Sequence, residues 1–542
     1  MKRVHYFILG LIGAGIAAMM LWTQPVAAVM DSDYYYALGQ QIFWGRGGEQ
    51  PFIWNYLADP KGVPMPAFDY WMPLPAVLAA IGMWLVGTPA LWAARLPFVA
   101  LHGVNVVLVA YWVFRKTGQR LLAWLGGLAV SFPIFYAGFI TFPESFTPIV
   151  TLGTLYFILV FGAERIWGER AEVLRSLSVG VLCGLFHLSR ADGVVWLLAS
   201  IFLQVGMVLK PMISKQVSGI PRKMRVAILN ILVMGVGYVL MITPWLWHNL
   251  QAFGTLFQPG SGRVLWLREY NELFYYPASQ LTFEHWIGQG WGAIIKDRLW
   301  ALGQNLLTAI AVQGQVVFFP LIIWGIVKTW PRFETRFGFG MWLGMGLIFS
   351  LVFPFAGVRG GFFHSGAALQ PFLWVLGWQG FQALIEWGTQ HRRWQPKVSQ
   401  GFLGVGILLI VFAASAVIYF QRYIGDEERP PAWQVTQDRY MAINHKLSDW
   451  GFSPESSLGA VNNPPTFFVL THRSSIVIPG GDVSQLLAAM CRYQADYVIL
   501  EPDQVNLETL YANPTSVEAL KYLETVQGAH ILALEDAEKT CR

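Results

Sequence analysis

Two carboxylates, Asp31 and Asp33, lie where the first long apolar run ends and an aromatic loop begins. That run, residues 6–29, holds no charged residue and is long enough to cross a bilayer, since about 20 helical residues span the hydrocarbon core. Carboxylates at such a boundary suit proton abstraction or metal binding. The alternative is that Asp31 only caps a helix over residues 32–44.

The spacing of the two aspartates separates their roles. Positions i and i+2 are about 200° apart on a helix, so Asp31 and Asp33 are not expected to share one proton or one ion. One of them is predicted to be a catalytic base, with Asp31 favoured, and the other to have a supporting role.

Further ionisable groups border later apolar runs, where they are costly unless paired or hydrated and are therefore functional candidates. Glu144 is the second acidic candidate. The candidates for binding substrate phosphate are Arg190, Asp192, Arg263, Arg359, His248 and His364. Arginine binds phosphate through bidentate charge-assisted hydrogen bonds. A base beside such groups at a bilayer surface indicates a lipid-phosphate substrate.

Structural roles are open for several of these side chains. Glu144 could stabilise a helix N-terminus, Arg190 and Asp192 could form a local ion pair, His364 could be packed, and His248 could be an interfacial anchor. The outward segments contain no HExxH, CxxC, P-loop or GxSxG motif. Zinc hydrolase, ATPase and serine esterase chemistries therefore lack their characteristic residues.

The composition predicts a mainly α, polytopic membrane protein. Of the 542 residues, 55% are apolar and 13% are charged, whereas about a quarter of the residues of soluble domains are charged. We expect the first run to be a retained anchor, because it is longer than a signal-peptide core. About eleven spans are predicted, at residues 6–29, 90–114, 121–139, 145–163, 174–189, 191–209, 226–248, 301–327, 337–355, 366–388 and 401–420.

The basic residues predict the orientation. Threading the spans from a cytoplasmic N-terminus places the main Lys and Arg clusters inside, as the positive-inside rule requires. These clusters lie within residues 2–3, 115–120, 165–175, 210–225, 328–336 and 392–397. Segment 74–86 is apolar but too short to cross comfortably, so we predict a juxtamembrane or re-entrant helix within an outward first loop, residues 30–89. No basic run is interleaved with a stacking platform, so nucleic acid is not an expected partner.

The chain divides near residue 420. The segment 1–420 is the predicted transmembrane domain, and 421–542 is a predicted soluble, extracytoplasmic α/β domain. After Gln421 there are nine basic and sixteen acidic residues, so this part carries −7. Strands are predicted at 457–461, 475–479, 497–500 and 530–534, and helices at 436–450, 483–494 and 517–527. Pairing of Cys491 with Cys541 is possible but not indicated by their spacing.

Four motifs together resemble the GT-C superfamily of integral-membrane glycosyltransferases, which includes protein O-mannosyltransferases and lipid A aminoarabinose transferases. They cover about residues 1–390. The motifs are the acidic and tyrosine-rich segment 31–36, the Tyr-Trp-Met-Pro-Leu entry at 70–74 with Gly87 and Arg95 beyond it, the Leu-Ser-Arg-Ala-Asp-Gly turn at 188–193, and the Thr-Pro-Trp to Pro segment at 243–259.

The resemblance implies a sugar donor linked to a polyprenyl phosphate and an acceptor on the outer face of the cytoplasmic membrane. It implies that Asp31 or Asp33 takes a proton from the acceptor hydroxyl, which attacks the anomeric carbon with inversion. Glu144 would be the second-loop carboxylate, and Arg190 and Arg359 would contact the phosphate. A divalent cation, Mg or Mn, would be held by Asp31, Asp33 and Glu144, if one is required.

Two other functions compete with this interpretation. A transporter or flippase of a lipid-linked or anionic substrate predicts internal repeats and interrupted spans with ionisable groups near the midplane. The sequence shows no half-to-half repeat, and its polar groups collect at one surface. A polysaccharide polymerase or ligase would also use outward arginines, but it would not need the early acidic pair. The sugar, the acceptor and the metal requirement do not follow from the sequence.

Overall fold

The chain is mostly helical in the computed structural model, which describes residues 1–161, 169–213, 220–502, 504, 506–535 and 537–541. The first part of the chain forms helices α1 Arg3–Thr23, α2 Met30–Phe43, α3 Leu74–Val86, α4 Leu91–Thr117, α5 Arg120–Val130, α6 Phe146–Phe161, α7 Glu169–Ser189, α8 Val194–Ile213, α9 Ile220–Phe253, α10 Phe283–Ile287, α11 Trp291–Thr308, α12 Phe319–Thr329, α13 Phe333–Leu347, α14 Pro354–Ala356, α15 Phe362–Ala367, α16 Gln370–Arg392 and α17 Pro396–Tyr419.

Each of the eleven predicted spans contains helix, but the helices differ in length. Within the described residues, six are long and apolar enough to cross a membrane, or seven if one bent pair is a single span. Several predicted spans are short, such as α5 and α6. The structure therefore supports several membrane spans without confirming the number eleven. Residues 162–163 of the fourth predicted span, and Arg165 and Lys215 of the basic clusters, lie outside the described residues.

The bent pair lies in the predicted span 301–327. Segments Trp291–Gln313 and Val316–Thr329 meet at an angle of 89°. Gln315 and Val316, at the break, both have positive φ, at 48° and 53°. Residues with this left-handed backbone conformation interrupt the helical hydrogen bonding. The chain therefore turns sharply inside the apolar bundle.

The first outward loop folds against the membrane helices. It consists of α2, the strands β1 Glu49–Gln50, β2 Phe52–Ile53 and β3 Met65–Pro66, and the predicted short helix α3. Strand β1 pairs with β3 in an antiparallel arrangement. Helix α2 packs along α3, which in turn packs on α4. The loop thereby fixes α2 at the outward end of the bundle.

The last part of the chain alternates short strands and helices, as predicted. Its elements are α18 Ala432–Asp449, β4 Gly459–Val461, α19 Pro464–Thr471, β5 Ser475–Val477, α20 Val483–Tyr493, β6 Tyr497–Leu500, α21 Glu508–Ala512, β7 Leu520–Val526, β8 Ala529–Leu534 and α22 Ala537–Thr540. Together with β2 of the first loop, its strands form a six-stranded sheet of order β2-β5-β4-β6-β8-β7. Strands β2, β5, β4 and β6 are parallel, and β8 and β7 add an antiparallel hairpin.

One strand of this sheet belongs to the first loop. Phe52 and Ile53 pair with Ser475 and Ile476, so β2 extends the C-terminal sheet at its edge. The two segments also share one hydrophobic core, in which Tyr56 packs with Tyr493. The C-terminal domain is therefore built together with the loop that carries α2.

The predicted helix at 517–527 is wrong, because the structure has strand β7 there. Gln527 and Gly528 both have positive φ, at 45° and 79°, which is the conformation of a two-residue hairpin turn. The turn folds β7 back onto β8, and the pairing with β8 overrides the helical tendency of the segment. Cys491 and Cys541 are joined by a disulfide, with 5.3 Å between their Cα atoms.

Candidate active site

Helix α2 carries Asp31 in its first turn, just after the chain leaves the first membrane helix α1. The helix begins at Met30, and its N-cap is Val29, which has no side-chain cap. The expected cap role for Asp31 is therefore not seen. About 30% of the Asp31 side chain is exposed, so a substrate can reach this carboxylate.

Asp31 lies beside Glu144 and His364, although the three residues are far apart in sequence. The His364 Nε2 atom is 3.6 Å from Asp31 Oδ2, and its Nδ1 atom is 3.9 Å from Glu144 Oε2. One ligand atom from each of the three residues lies within 4.8 Å of the other two. We call Asp31, Glu144 and His364 the acid–histidine cluster.

Neighbouring polar and aromatic groups hold the cluster in place. Ser32, on α2, donates a hydrogen bond to Glu144 Oε1 at 3.4 Å. The backbone amide of Ser145 donates to Glu144 Oε2, and the Ser145 hydroxyl lies 3.0 Å from His364 Nδ1. The His364 ring stacks on Phe146, with 4.0 Å between ring centroids. The buried Glu144 and His364 side chains therefore have fixed orientations.

Burial sets the protonation of this cluster. It raises the pKa of Asp31 to about 6, against the lowering effect of the Arg190 charge. Burial, together with the charge of Asp31, raises the pKa of Glu144 well above its ordinary value. Burial and the charge of Arg190 keep the pKa of His364 well below its ordinary value. His364 is accordingly a neutral imidazole, which can act as a ligand or a hydrogen-bond partner.

Arg190 and Asp192 form the local ion pair that was one of the expected alternatives. Arg190 Nε donates to Asp192 Oδ1 at 2.9 Å and to the Ser365 hydroxyl at 3.2 Å. Ser365 in turn donates to Asp192. The two residues lie in the tight turn between α7 and α8, where a Cβ on Gly193 would come within 2.3 Å of the Phe186 backbone.

This pairing uses only part of the Arg190 guanidinium. Among the residues that the structure describes, nothing accepts a hydrogen bond from its two terminal nitrogens. The charge of Arg190 acts on Asp31, Glu144 and His364. Arg190 thus places free donors and a positive charge beside the acid–histidine cluster.

Arg359 is exposed, and its guanidinium lies over the ring of Tyr270, 5.1 Å from the ring centroid. Burial and the charge of Asp31 raise the pKa of Tyr270 to about 12, against the opposing effect of Arg359. The charges of both Asp31 and Arg359 thus act on Tyr270, which links the exposed Arg359 to the surroundings of Asp31.

Asp33 lies apart from the cluster, on the opposite side of α2. Its carboxylate accepts a hydrogen bond from the Thr466 hydroxyl at 2.6 Å and is completely buried. Burial raises the pKa of Asp33 to about 7, against the lowering effect of the Thr466 hydrogen bond. Of the three predicted metal ligands, the structure brings together Asp31 and Glu144 with His364, and not Asp33.

Arg263 and His248 are also placed away from the cluster. Arg263 donates to the carbonyl of Leu57, and His248 Nε2 lies 2.9 Å from the carbonyl oxygen of Ala67. Both carbonyls belong to the first loop, so the two side chains hold its backbone. Their polar atoms face that loop and do not face Asp31.

The sequence analysis did not assign a role to Ser32, Ser145, Tyr270 or Thr466. Ser32 and Ser145 directly adjoin Asp31 and Glu144, so proximity in sequence was a usable signal for them. Tyr270 and Thr466 carry no such signal, because only the folded chain brings them to α2 and Arg359.

The acid–histidine cluster fits a divalent cation. It offers two carboxylates and a neutral imidazole, a donor set that binds zinc, manganese and iron. The three ligand atoms lie close enough to reach one ion. The same groups can accept a proton, and the adjoining arginine can bind an anion, so the site combines a base with positive charge.

Several solved structures have a fold similar to that of this chain. No known protein family and no curated protein sequence matches the chain. Three solved structures illustrate the similarity. The Archaeoglobus fulgidus oligosaccharyltransferase tethered with an acceptor peptide is 12% identical, over 99% of this chain and 75% of that chain, with a TM-score of 0.57. The same enzyme in complex with Zn and sulfate is 12% identical, over 97% and 73%, with a TM-score of 0.55.

The third solved structure is that of ArnT from Cupriavidus metallidurans bound to undecaprenyl phosphate. It is 13% identical over 99% of both chains, with a TM-score of 0.53. At such low identity the similarity shows the fold, which is the one that the sequence motifs predicted. The chain therefore shares the fold of these solved structures and is a multi-pass membrane protein, with six described helices long and apolar enough to cross a bilayer.

Proposed function

We propose that the protein is a glycosyltransferase that moves a sugar from a polyprenyl-phosphate-linked donor to an acceptor hydroxyl on the outer face of the cytoplasmic membrane. The observation that carries this proposal is the acid–histidine cluster beside Arg190, at the outward end of a GT-C fold. ArnT, of the same fold, binds undecaprenyl phosphate. The oligosaccharyltransferase, also of this fold, was captured with an acceptor peptide.

Asp31 is the proposed general base, because it is the cluster carboxylate with an exposed side chain. It takes the proton from the acceptor hydroxyl as the acceptor oxygen forms a bond to the anomeric carbon. The bond between that carbon and the phosphate oxygen breaks on the opposite side, and its electron pair stays on the lipid phosphate. The product is a glycosylated acceptor with inverted configuration.

Arg190 is the proposed phosphate ligand. Among the described residues, nothing accepts a hydrogen bond from its terminal nitrogens, and the ion pair through Nε fixes the plane of the guanidinium. A fixed guanidinium stabilises the negative charge that develops on the leaving phosphate without reorganisation. Arg359, which lies over Tyr270, provides a second positive charge for the lipid phosphate as it enters or leaves.

A divalent cation would be held by Asp31, Glu144 and His364, and when bound it would supply positive charge for the leaving phosphate. The structure of the archaeal oligosaccharyltransferase with Zn and sulfate provides a precedent for a cation in this fold. The neutral state of His364 keeps its ring nitrogen available to such an ion.

The orientation belongs to the same proposal. The disulfide between Cys491 and Cys541 supports an extracytoplasmic C-terminal domain, since disulfides persist in oxidising compartments. The basic clusters at the other ends of the spans support a cytoplasmic N-terminus. Both observations support the proposal that the acid–histidine cluster lies on the outer face.

The bent helix pair is the one observation that favours the competing transporter, because transporters use broken helices at their substrate sites. The side chains at this break that face the interior, Gln313 and Gln315, are buried but uncharged. The charged side chains lie instead at the outward end, in the acid–histidine cluster. Transfer at a surface therefore accounts better for the placement of charge.

The test uses purified full-length protein in nanodiscs with a panel of polyprenyl-phosphate sugars. Mass spectrometry follows the release of free lipid phosphate, and the Asp31→Asn variant controls for a contaminating activity. We expect the wild type to consume at least one donor and the variant to consume it far more slowly. If well-folded wild type consumes no donor but moves one across a liposome membrane, the transporter is correct.

A further inference from the structure

Helix α2 is held on one face by the membrane domain and on another by the C-terminal domain. Asp31 points to the acid–histidine cluster, and Ser32 bonds to Glu144. Asp33, about 200° around the helix from Asp31, bonds to Thr466. One turn of α2 therefore connects the candidate active site to a domain that is distant in sequence.

The contact at Asp33 lies in an uncharged environment. The carboxylate is fully buried, its Oδ1 atom has no hydrogen-bond partner in the described part of the chain, and no described basic side chain pairs with it. The Thr466 hydroxyl is the side-chain group that bonds to it. The backbone of Val29 also hydrogen-bonds to this carboxylate, but Val29 lies at the start of α2 itself. Thr466 is therefore the described partner that ties Asp33 to another part of the chain, and a buried polar group depends strongly on its hydrogen bonds, so the bond to Thr466 constrains where this turn of α2 can lie.

Thr466 is itself rigidly placed. It lies in the first turn of α19, where its backbone amide donates to the Asn463 side chain at 3.3 Å. Phe468 of the same helix packs against Phe52 of strand β2. Helix α19 follows β4 and precedes β5, the strand with which β2 pairs. The Thr466 hydroxyl, which bonds to Asp33, is therefore held by a helix that packs on the shared sheet.

The C-terminal domain also contacts a second segment near the candidate active site, the turn Tyr270–Phe274. The Gly480 amide donates to the carbonyl of Phe274 at 3.1 Å. A Cβ at Gly480 would lie 2.2 Å from the carbonyl oxygen of Asn271, so the chain approaches the turn Tyr270–Phe274 as closely as only glycine allows. This turn carries Tyr270, on which Arg359 rests.

We propose that the C-terminal domain positions the catalytic groups, with Thr466 as the positioning residue that holds α2 so that Asp31 faces Glu144 and His364. This inference rests on the proposed transferase function and assigns to the domain a role within the same site. Asp33 then serves as the point where α2 is held. Loss of the Thr466 hydroxyl lets α2 shift, and small shifts of a catalytic group lower turnover strongly.

The test compares three variants of the full-length protein. Thr466→Val removes the hydroxyl at constant shape, Thr466→Ser retains it, and Thr471→Val is the matched control. Thr471 is a buried threonine of the same helix, and its hydroxyl bonds to the Phe467 carbonyl and the Arg473 amide, both within the C-terminal domain. We expect Thr466→Val to lower kcat about 10-fold with the donor KM unchanged. Thr466→Ser and Thr471→Val should have a kcat close to that of the wild type.

A second readout does not need an active enzyme. Hydrogen exchange of residues 30–36 should be faster in Thr466→Val than in the wild type, Thr466→Ser or Thr471→Val. If wild type consumes no donor, the transferase proposal fails, and this exchange result alone decides the positioning role. Equal exchange in all four proteins, or full kcat in Thr466→Val, overturns the inference. If Thr466→Val does not fold, Asp33→Leu, which removes the acceptor instead, takes its place in both measurements.

Discussion

The two faces of helix α2 differ in the charges that surround them. On one face Asp31 is partly exposed and lies among Glu144, His364 and the charge of Arg190. On the other face Asp33 is fully buried against Thr466. The carboxylates are two residues apart and chemically identical. Their different surroundings follow from helical phase and not from residue type, and on our proposal this difference assigns Asp31 to chemistry and Asp33 to support.

The comparison also explains why burial alone does not identify the base. Burial raises the pKa of both aspartates, that of Asp31 to about 6 and that of Asp33 to about 7. Of the two, Asp31 is the one that combines a raised pKa with a partly exposed side chain and a place in the acid–histidine cluster. The following predictions separate the two faces, in order of decreasing effect.

Asp31→Asn should have the largest effect. An amide cannot accept the acceptor's proton, and loss of a positioned base costs about 100-fold or more in rate. Single-turnover transfer from a bound donor measures this. Donor binding should persist, because Arg190 is intact. Sugar transfer by Asp31→Asn at the wild-type rate would show that Asp31 is not the general base.

His364→Ala should weaken divalent cation binding more than about 10-fold, a loss that even an outer-shell partner can cause. Stoichiometry and affinity can be measured by isothermal titration with Mg²⁺, Mn²⁺ and Zn²⁺. Asp33→Asn is the control, because the structure keeps Asp33 out of the cluster. Equal weakening in both variants would show that the cluster does not hold the ion.

Arg190→Lys should weaken donor binding by about 10-fold, because a lysine keeps the charge but loses the paired nitrogens that grip a phosphate. Donor KM and the binding of free polyprenyl phosphate are the measurements. The matched control is Arg263→Lys, since Arg263 holds the Leu57 carbonyl away from the cluster. If Arg263→Lys weakened donor binding more than Arg190→Lys, the phosphate would bind at Arg263 and not at Arg190.

Asp33→Asn should have the smallest effect, within about 3-fold of wild-type kcat, because the amide oxygen can still accept the Thr466 hydrogen bond that holds α2 in place. Steady-state turnover is sufficient to measure this. A loss as large as that of Asp31→Asn would mean that both faces take part in proton transfer.

The sequence predicted the helical membrane region, the short helix α3, and most strands of the C-terminal domain. These follow from local patterns: apolar runs of spanning length, and charged residues such as Glu144 and Arg190 at their ends. The distances between Asp31, Glu144 and His364 could not be predicted, because they depend on how the helices pack.

Other features also depend on how the chain packs. Arg263 and His248 remain predicted phosphate-site residues, and the structure adds that backbone carbonyls of the first loop engage them. The hairpin at Gln527 and Gly528 lacks the usual Asn-Gly or Asp-Gly turn sequence, so its strand β7 was predicted as helix. Thr466 has no local signal, because it meets α2 only through the shared sheet.

The most direct test of the central claim is a cryo-EM structure of the Asp31→Asn variant in nanodiscs with a donor that the wild type consumes. The account predicts that the lipid phosphate lies within hydrogen-bond distance of the terminal nitrogens of Arg190. The anomeric carbon should face the side chain at position 31. Donor density located instead at Asp33, at the carbonyls held by Arg263 and His248, or at the bent helix pair would contradict it.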